Sequence, residues 1–155
     1  MNGALLIRKP SGPTSHDVVD AARRTLGLRQ IGHTGTLDPM AEGLLVLLIG
    51  KATKHQQALQ GHDKVYEAVI ALGVKTDTAD AQGAVVESAP VPNYDAAHVA
   101  AVLASLEGSL DQTPPAFSAI KIKGKPAYWW ARRQQPVVLA SRKVQISALS
   151  LLTFD

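Results

Sequence analysis

A single aspartate, Asp38, lies in the stretch GHTGTLDPMAEGLLVLLIG, which runs from Gly32 to Gly50. A glycine-broken loop holding His33, Asp38 and Glu42 gives way abruptly to the apolar run Leu44 to Ile49. Gly32, Gly35 and Gly43 permit unusual backbone and the close approach of a ligand. Leu37 and the apolar run are expected to shield the carboxylate from water and from competing charge. So placed, it can act as a nucleophile or a base, provided a cation keeps it ionised. Lys51 and Lys54 are candidates for that cation. A purely local reading competes: Asp-Pro also starts helices, with Asp38 as N-cap and Pro39 at the first helical position.

Other chemistries fit less well. The loop lacks the GxxxxGK[ST] pattern of a phosphate cradle, and GHTGTLDP is not a GxGxxG turn into a helix. Hydrolysis by paired carboxylates would need a second acid; Glu42 is near in sequence, but nothing fixes the separation. The five histidines (His16, His33, His55, His62, His98) show no ligand spacing, and Asp77 with Asp80 lacks the remaining ligands of a calcium loop. There is no cysteine, which excludes disulfides and thiolate metal sites and permits a reducing, cytoplasmic compartment.

Aromatic and basic residues suggest a different partner. His33 is either an ordinary polar loop residue or a flat ring that stacks on an extruded base. Tyr66, in DKVYEAVIAL, is either a core-edge tyrosine or a phenol lying beside a bound base. Lys121, Lys123 and Lys125 straddle a tight turn, with Tyr128, Trp129, Trp130 and Arg132 close behind. Such interleaving suits a grip on the phosphate backbone with stacking on unpaired nucleotides. It equally suits a hydrophobic plug with snorkelling lysines.

Charge patterning weighs between those two. The net charge is +3, unevenly spread. Met1 to Asp111 carries nine Lys and Arg against twelve Asp and Glu, whereas Gln112 to Phe154 carries seven Lys and Arg and no acid. A basic block on a mildly acidic body points to a polyanion, nucleic acid first. The N-terminus MNGALLIRKPSG has its charges behind its apolar run, the reverse of a signal peptide, and no stretch approaches the length of a membrane span.

The elements that must position these residues follow from periodicity. With 155 residues, 46% of them hydrophobic, the chain can bury a real core and fits one domain. Ala4 to Arg8 reads as a short buried strand and Pro10 to Pro13 as a turn. Ser15 is placed to cap a helix to about Leu26, stopped by Gly27, with Val18, Val19, Ala22 and Leu26 at helical spacing. Gly32 to Gly43 is loop, Leu44 to Ile49 a strand buried on both faces, and Ala52 to Leu59 a short helix. Val65 to Leu72 and Ala84 to Glu87 read as strands around a polar loop. Asp95 caps a helix through AAHVAAVLASL. A strand alternating Phe117, Ala119 and the lysines, a helical turn over Ala127 to Arg133 and a strand over Arg142 to Phe154 complete the chain. Helices and strands mix without strict βαβ alternation, so the expected fold is α+β with a mixed, largely antiparallel sheet flanked by helices.

With these stretches in view, the chain closely resembles the TruB-type tRNA pseudouridine synthases. KPSGPTSHDVV (Lys9 to Val19) is similar to the family's opening motif, and GHTGTLDPMAEGLLVLLIGKATK (Gly32 to Lys54) to its catalytic-aspartate motif. KVYEAVIALGVKTDTADAQG is similar to the tyrosine strand and acidic loop, and TPPAFSAIKIKGKPAYWWAR resembles the segment P-P-x-Y-S-A-x-K-x-x-G-x-x-x-Y-x-x-A-R. The resemblance implies that Asp38 is the catalytic aspartate, His33 the histidine stacking in the RNA loop and Tyr66 the aromatic over the target uracil, with Lys121 and Tyr128 binding substrate. It implies no cofactor and no metal, a cytoplasmic and monomeric enzyme, and as substrate the T-arm loop of tRNA, gripped partly by a basic segment at about 112–143. Phe117 departs from the family's usual tyrosine, so a hydroxyl contact is lost there. Members continue into a K-G-T-Y-I/V-R-like motif, which supplies an arginine to the aspartate, and often into a C-terminal RNA-binding domain. Residues 1–155 are therefore expected to be the N-terminal part of a catalytic domain, cut inside a strand from something longer. The alternatives are a non-catalytic RNA-binding or RNA-folding module and a guide-RNA-dependent pseudouridine synthase.

Overall fold

The apolar run after Asp38 becomes the middle strand of a sheet. The computed structural model describes residues 1–118, 120–133, 135 and 137–155, in two compact units, Met1–Ala68 and Val69–Asp155. The first unit runs β1 (Gly3–Lys9), α1 (Ser15–Leu26), β2 (Ile31–His33), β3 (Gly43–Ile49), a 3-10 turn (Gly50–His55) and α2 (Gln56–Gln60). Its sheet has the order β1-β3-β2, antiparallel at both pairings. The register pairs Leu5 with Leu47, Ile7 with Leu45 and Ile31 with Ile49. Alternation along a strand sends these six side chains to one face.

That face meets α1, and the unit's core forms there. Val19, Ile31, Leu45, Leu47 and Ile49 are buried together, with Leu5, Ile7, Val18, Ala22, Leu28 and Leu37 packed around them. Burying each large aliphatic side chain stabilises the fold by about 1.5–3 kcal/mol. The opposite face is uneven. Leu48 is buried, whereas Leu6 and Leu44 are 66% and 64% exposed, so neither β1 nor β3 is covered on both sides along its length.

Local chemistry sets the limits of α1, with one change from the sequence expectation. Thr14, not Ser15, is the N-cap: its hydroxyl accepts from the Asp17 N–H, and the Asp17 carboxylate accepts from the Thr14 N–H at 2.8 Å. The pair closes a capping box. Ser15 lies one residue inside, 2% exposed, its hydroxyl spent elsewhere. Gly27 ends the helix at φ 64°, a left-handed conformation that glycine adopts without a Cβ clash. Arg23 then ties the helix to the sheet by donating to the Ile31 carbonyl at 2.8 Å.

Two further differences appear in this unit. The expected loop from Gly32 opens inside β2, because Gly32 and His33 pair with Leu48 and Leu47. The expected helix over Ala52 to Leu59 divides into the 3-10 turn and α2. Ile49 precedes the turn and offers no side-chain cap, and an uncapped start favours the tighter 3-10 winding.

The second unit is built of small antiparallel pairs. β4 (Val74–Thr76) pairs with β5 (Val85–Ser88), and α3 (Ala96–Ser105) follows, capped by Asp95, whose carboxylate accepts from the His98 N–H. β6 (Gly108–Gln112) pairs with β9 (Arg142–Ile146). Between them lie β7 (Lys121–Ile122), β8 (Lys125–Pro126) and α4 (Ala127–Ala131). The mixture of helices with antiparallel strands is the expected α+β class.

Two expected strands are corrected. Val65 to Leu72 forms no ladder among the described residues, and Val65 and Val69 are almost fully exposed. Apolar alternation can propose a strand, but only a partner's N–H and C=O groups can make one. The strand expected over Arg142 to Phe154 stops at Ile146, opposite Gly108, where β6 begins. Beyond it the Leu149 N–H donates to the Glu107 carboxylate instead. Ala119, expected in the alternating strand after Phe117, lies outside the described residues.

The capping box makes a pH prediction. The Thr14 hydroxyl, and then its N–H, hold the Asp17 carboxyl below its ordinary value. A carboxyl depressed in the folded state contributes stability that is present above its unfolded pKa and lost as pH falls toward the folded one. The thermal midpoint should therefore fall as pH drops below about 5, and Asp17→Asn should flatten that slope. An unchanged slope in the variant would show that the box carries no pH-dependent stability.

Candidate active site

The connection from β2 to β3 carries Asp38, and two buried side chains fasten it from either side. After β2, the Thr34 N–H donates to the Val46 carbonyl at 3.0 Å, which keeps the start of the loop on the sheet. On the N-terminal side of Asp38, the Ser15 hydroxyl donates to the Leu37 carbonyl at 3.0 Å and accepts from the Leu37 N–H at 2.9 Å. On the C-terminal side, the Pro39 carbonyl accepts from the Gly12 N–H at 2.8 Å and from the Lys9 ammonium at 3.1 Å. The Ala41 N–H closes a turn on the Asp38 carbonyl at 3.0 Å.

Lys9 is fully buried, at 0% exposure. Its ammonium donates to the carbonyls of Pro10 (2.9 Å), Pro13 (2.8 Å) and Pro39, so all three of its N–H groups have a partner. The turn Pro10 to Pro13 and the turn at Pro39 thereby share one cation. Neither Lys9 nor Ser15 stood out in the sequence as a support of the aspartate. A signal existed for Lys9: a lysine ending an apolar strand beside a turn with two prolines, which bring carbonyl acceptors but no N–H donors of their own.

The Asp38 side chain is left free by this bracing. No helix follows it, so it does not act as an N-cap, and among the described residues its carboxylate makes no hydrogen bond or ion pair. It is also exposed, which corrects the expectation of a shielded carboxylate. Leu37 packs into the core as expected, but the next residue turns outward. Glu42 is no second acid for it in the described contacts; its carboxylate lies 3.7 Å from exposed Arg8.

The other candidates fall into two groups. His33 ends β2 in the same unit as Asp38, half-buried, with its Nδ1 buried and without a hydrogen-bond partner among the described residues. Tyr66 is 71% exposed in the segment after α2, which forms no regular element. Lys121 and Tyr128 belong to the second unit, where they share one small assembly.

That assembly is a hairpin backed by a helical turn. Lys123 and Gly124 both have positive φ, 48° and 79°, and join β7 to β8 as a two-residue loop of the primed type. The Trp130 indole N–H donates to the Ile122 carbonyl at 3.1 Å and fixes α4 on the hairpin. The Arg133 guanidinium lies 3.7 Å from the centre of the Trp129 ring and the Lys125 ammonium 5.7 Å; Arg132 lies 5.5 Å from that of Tyr128. Aromatic rings therefore order three cations while Lys121 and Lys123 stay exposed.

The first unit thus carries one backbone-clamped carboxylate, Asp38, with no partner among the described residues, and a histidine, His33, at the end of β2. The TruB family pseudouridylate synthase N-terminal domain matches residues 23–155. The chain is 47% identical over 154 residues to a tRNA pseudouridine synthase B of Opitutus terrae, covering 99% of this chain and 64% of that one. It is 44% identical over 155 residues to one of Caldanaerobacter subterraneus, covering 100% and 54%. With one of Aromatoleum aromaticum the identity is 49% over 152 residues, covering 98% and 49%. The chain thus spans between about half and just under two thirds of the length of these relatives. A crystal structure of a Cbf5-Nop10-Gar1 complex contains a similar fold, with a TM-score of 0.50, 30% identity and coverage of 77% of this chain and 31% of that one. The chain belongs to the TruB family of pseudouridylate synthases.

The bracing predicts a stability effect at Lys9. Lys9→Met keeps most of the side-chain volume and removes the cation, leaving the Pro10 and Pro13 carbonyls without their described donor and Pro39 with the Gly12 N–H alone. It should cost about 2–4 kcal/mol in denaturant unfolding, the range for lost charge-assisted hydrogen bonds at a buried site. A loss below about 0.5 kcal/mol would mean that the ammonium does not hold the two turns together.

Proposed function

We propose that the chain is the N-terminal part of the catalytic domain of a tRNA pseudouridine synthase, acting on a uridine in the T-arm loop. The observation that carries this reading is Asp38: a carboxylate free of internal partners, on a backbone fastened at both neighbouring residues. The names of the relatives, each a tRNA pseudouridine synthase B, support the substrate class. The reaction breaks the bond from uracil N1 to the ribose C1′, turns the base and joins C5 to C1′. The C5 proton leaves to water and N1 takes one up, so no redox partner is required. Asp38 serves the step as nucleophile or as base.

In this reading the target nucleotide leaves its stack, at a cost of about a few kcal/mol. His33 stacks within the opened RNA loop, and Tyr66 lies over the uracil. Lys121 and Tyr128, with the basic segment at about 112–143, grip the tRNA; residues 119, 134 and 136 of that segment lie outside the described structure. Cations ordered on aromatic rings suit phosphate contacts, since less side-chain freedom is lost on binding. We propose a monomer, working in the cytoplasm without cofactor; no helix among the described residues is long and apolar enough to cross a membrane.

One observation favours a second reading. The exposure of Asp38 and of Tyr66 gives a base no enclosed seat within the first unit, as expected of a module that binds RNA without turning it over. Single-turnover release of tritium from C5-labelled uridine in tRNA separates the two. The full-length protein that carries this chain should release tritium, and Asp38→Asn in it should lower the rate by at least about 100-fold with tRNA affinity kept. Tight, salt-sensitive tRNA binding without release would establish the binding module. A second experiment addresses the grip: Lys125→Ala with Arg133→Ala should weaken tRNA binding and lower the salt slope by about one to two. An unchanged slope would remove those cations from the RNA-binding surface.

A further inference from the structure

We propose that Ser15 is a positioning residue for Asp38. Its hydroxyl fixes the backbone of Leu37, the residue immediately before the carboxylate, from the first turn of α1. The inference rests on Asp38 being the catalytic group.

The geometry is that of a one-atom bridge. A serine hydroxyl has one proton and two lone pairs, so it can donate and accept at once. Ser15 does both toward a single residue, donating to the Leu37 carbonyl at 3.0 Å and accepting from the Leu37 N–H at 2.9 Å. Two bonds to one residue, one on each of the peptide planes that flank its Cα, constrain its rotation as well as its distance, which a single bond cannot do. The bridge stands in for a strand partner at a point where the loop has none.

The anchor is itself rigid. Helix capping occupies Thr14 and Asp17, so the Ser15 hydroxyl is not needed to satisfy the helix end. Neighbouring Val19 is 1% exposed in the core, and Arg23 holds the same helix to β2, from which the loop departs. Leu37 adds its own side chain to that core. Ser15 is 2% exposed, so water cannot readily replace its hydroxyl. Without it, the Leu37 N–H and C=O lose their only described partner, and the carboxylate one residue on gains freedom. Misplacement of a reacting group by about 1 Å costs on the order of 100-fold in rate.

A purely structural serine would lower stability and leave the chemical step alone. A positioning serine lowers the rate of the bound complex. In the full-length protein, Ser15→Ala should reduce the single-turnover rate of tritium release about 10- to 100-fold, with the affinity for tRNA within about twofold of the unsubstituted protein. Ser15→Thr, which keeps the hydroxyl, should recover most of the rate. A second measurement needs neither turnover nor a folded variant: in the unsubstituted chain the Leu37 amide should exchange with deuterium at least about tenfold more slowly than that of exposed Thr36.

The outcomes separate the two ideas. If the unsubstituted full-length protein releases tritium and its Ser15→Ala variant does so equally fast, or is slowed only through tRNA affinity, Ser15 does not position Asp38 and the proposed activity stands. If the unsubstituted full-length protein releases none, the proposed activity fails, and the exchange of Leu37 alone decides whether the hydroxyl holds the loop. Unprotected Leu37 overturns the inference in either case.

Discussion

The first unit depends on a cation withdrawn from water. Taking an ammonium out of solvent costs several kcal/mol even after the protein relaxes around it. The only compensation described for Lys9 is three carbonyl oxygens at 2.8–3.1 Å, all of them proline carbonyls. They come from two chain segments, Pro10 to Pro13 and Pro39, and must converge for the charge to be solvated at all. An apolar side chain would fill the space without that demand. The lysine therefore converts a desolvation penalty into a geometric requirement: the turn after β1 and the turn after Asp38 must meet.

The bracing also explains how Asp38 is placed without being consumed. A carboxylate can be held by hydrogen bonds to its own oxygens, but each such bond stabilises the anion and lowers its basicity and nucleophilicity. Here the holding is done on the peptide frame, at the Leu37 and Pro39 carbonyls and the Leu37 N–H. The side chain keeps its lone pairs for a ligand. Preorganisation of this kind is gained during folding, so it need not be repeated at each binding event.

What the sequence revealed divides along the same line. Periodicity found α1 and β3, because Val18, Val19 and Ala22 on the helix and Leu45, Leu47 and Ile49 on the strand form one core whatever the loops do. The hairpin at Lys123-Gly124 was legible from its turn chemistry. Val65 to Leu72 and the end of the last strand were misread, since a ladder depends on where a partner begins, and β6 begins only at Gly108. Ser15 was misplaced as a cap for a related reason: Thr14 and Ser15 are both good caps locally, and Leu37, 22 residues away, decides between them. The loop around Asp38 was found by residue type. Its exposure was not, because the apolar neighbour in sequence, Leu37, faces the core while Asp38 turns outward.

The second unit meets the same problem with different means. Its cations face solvent, where an unpaired arginine or lysine samples many rotamers and loses that freedom on binding. Trp129 and Tyr128 limit the sampling by offering ring faces to Arg133, Lys125 and Arg132, while Trp130 fixes the helix that carries them. A ring attracts a cation without neutralising it, whereas a carboxylate would cancel the charge that a phosphate needs. The absence of acids from Gln112 to Phe154 acquires a physical sense from this. In both units a charged side chain is ordered by groups that leave its charge intact: backbone clamps around Asp38, aromatic rings beside the arginines.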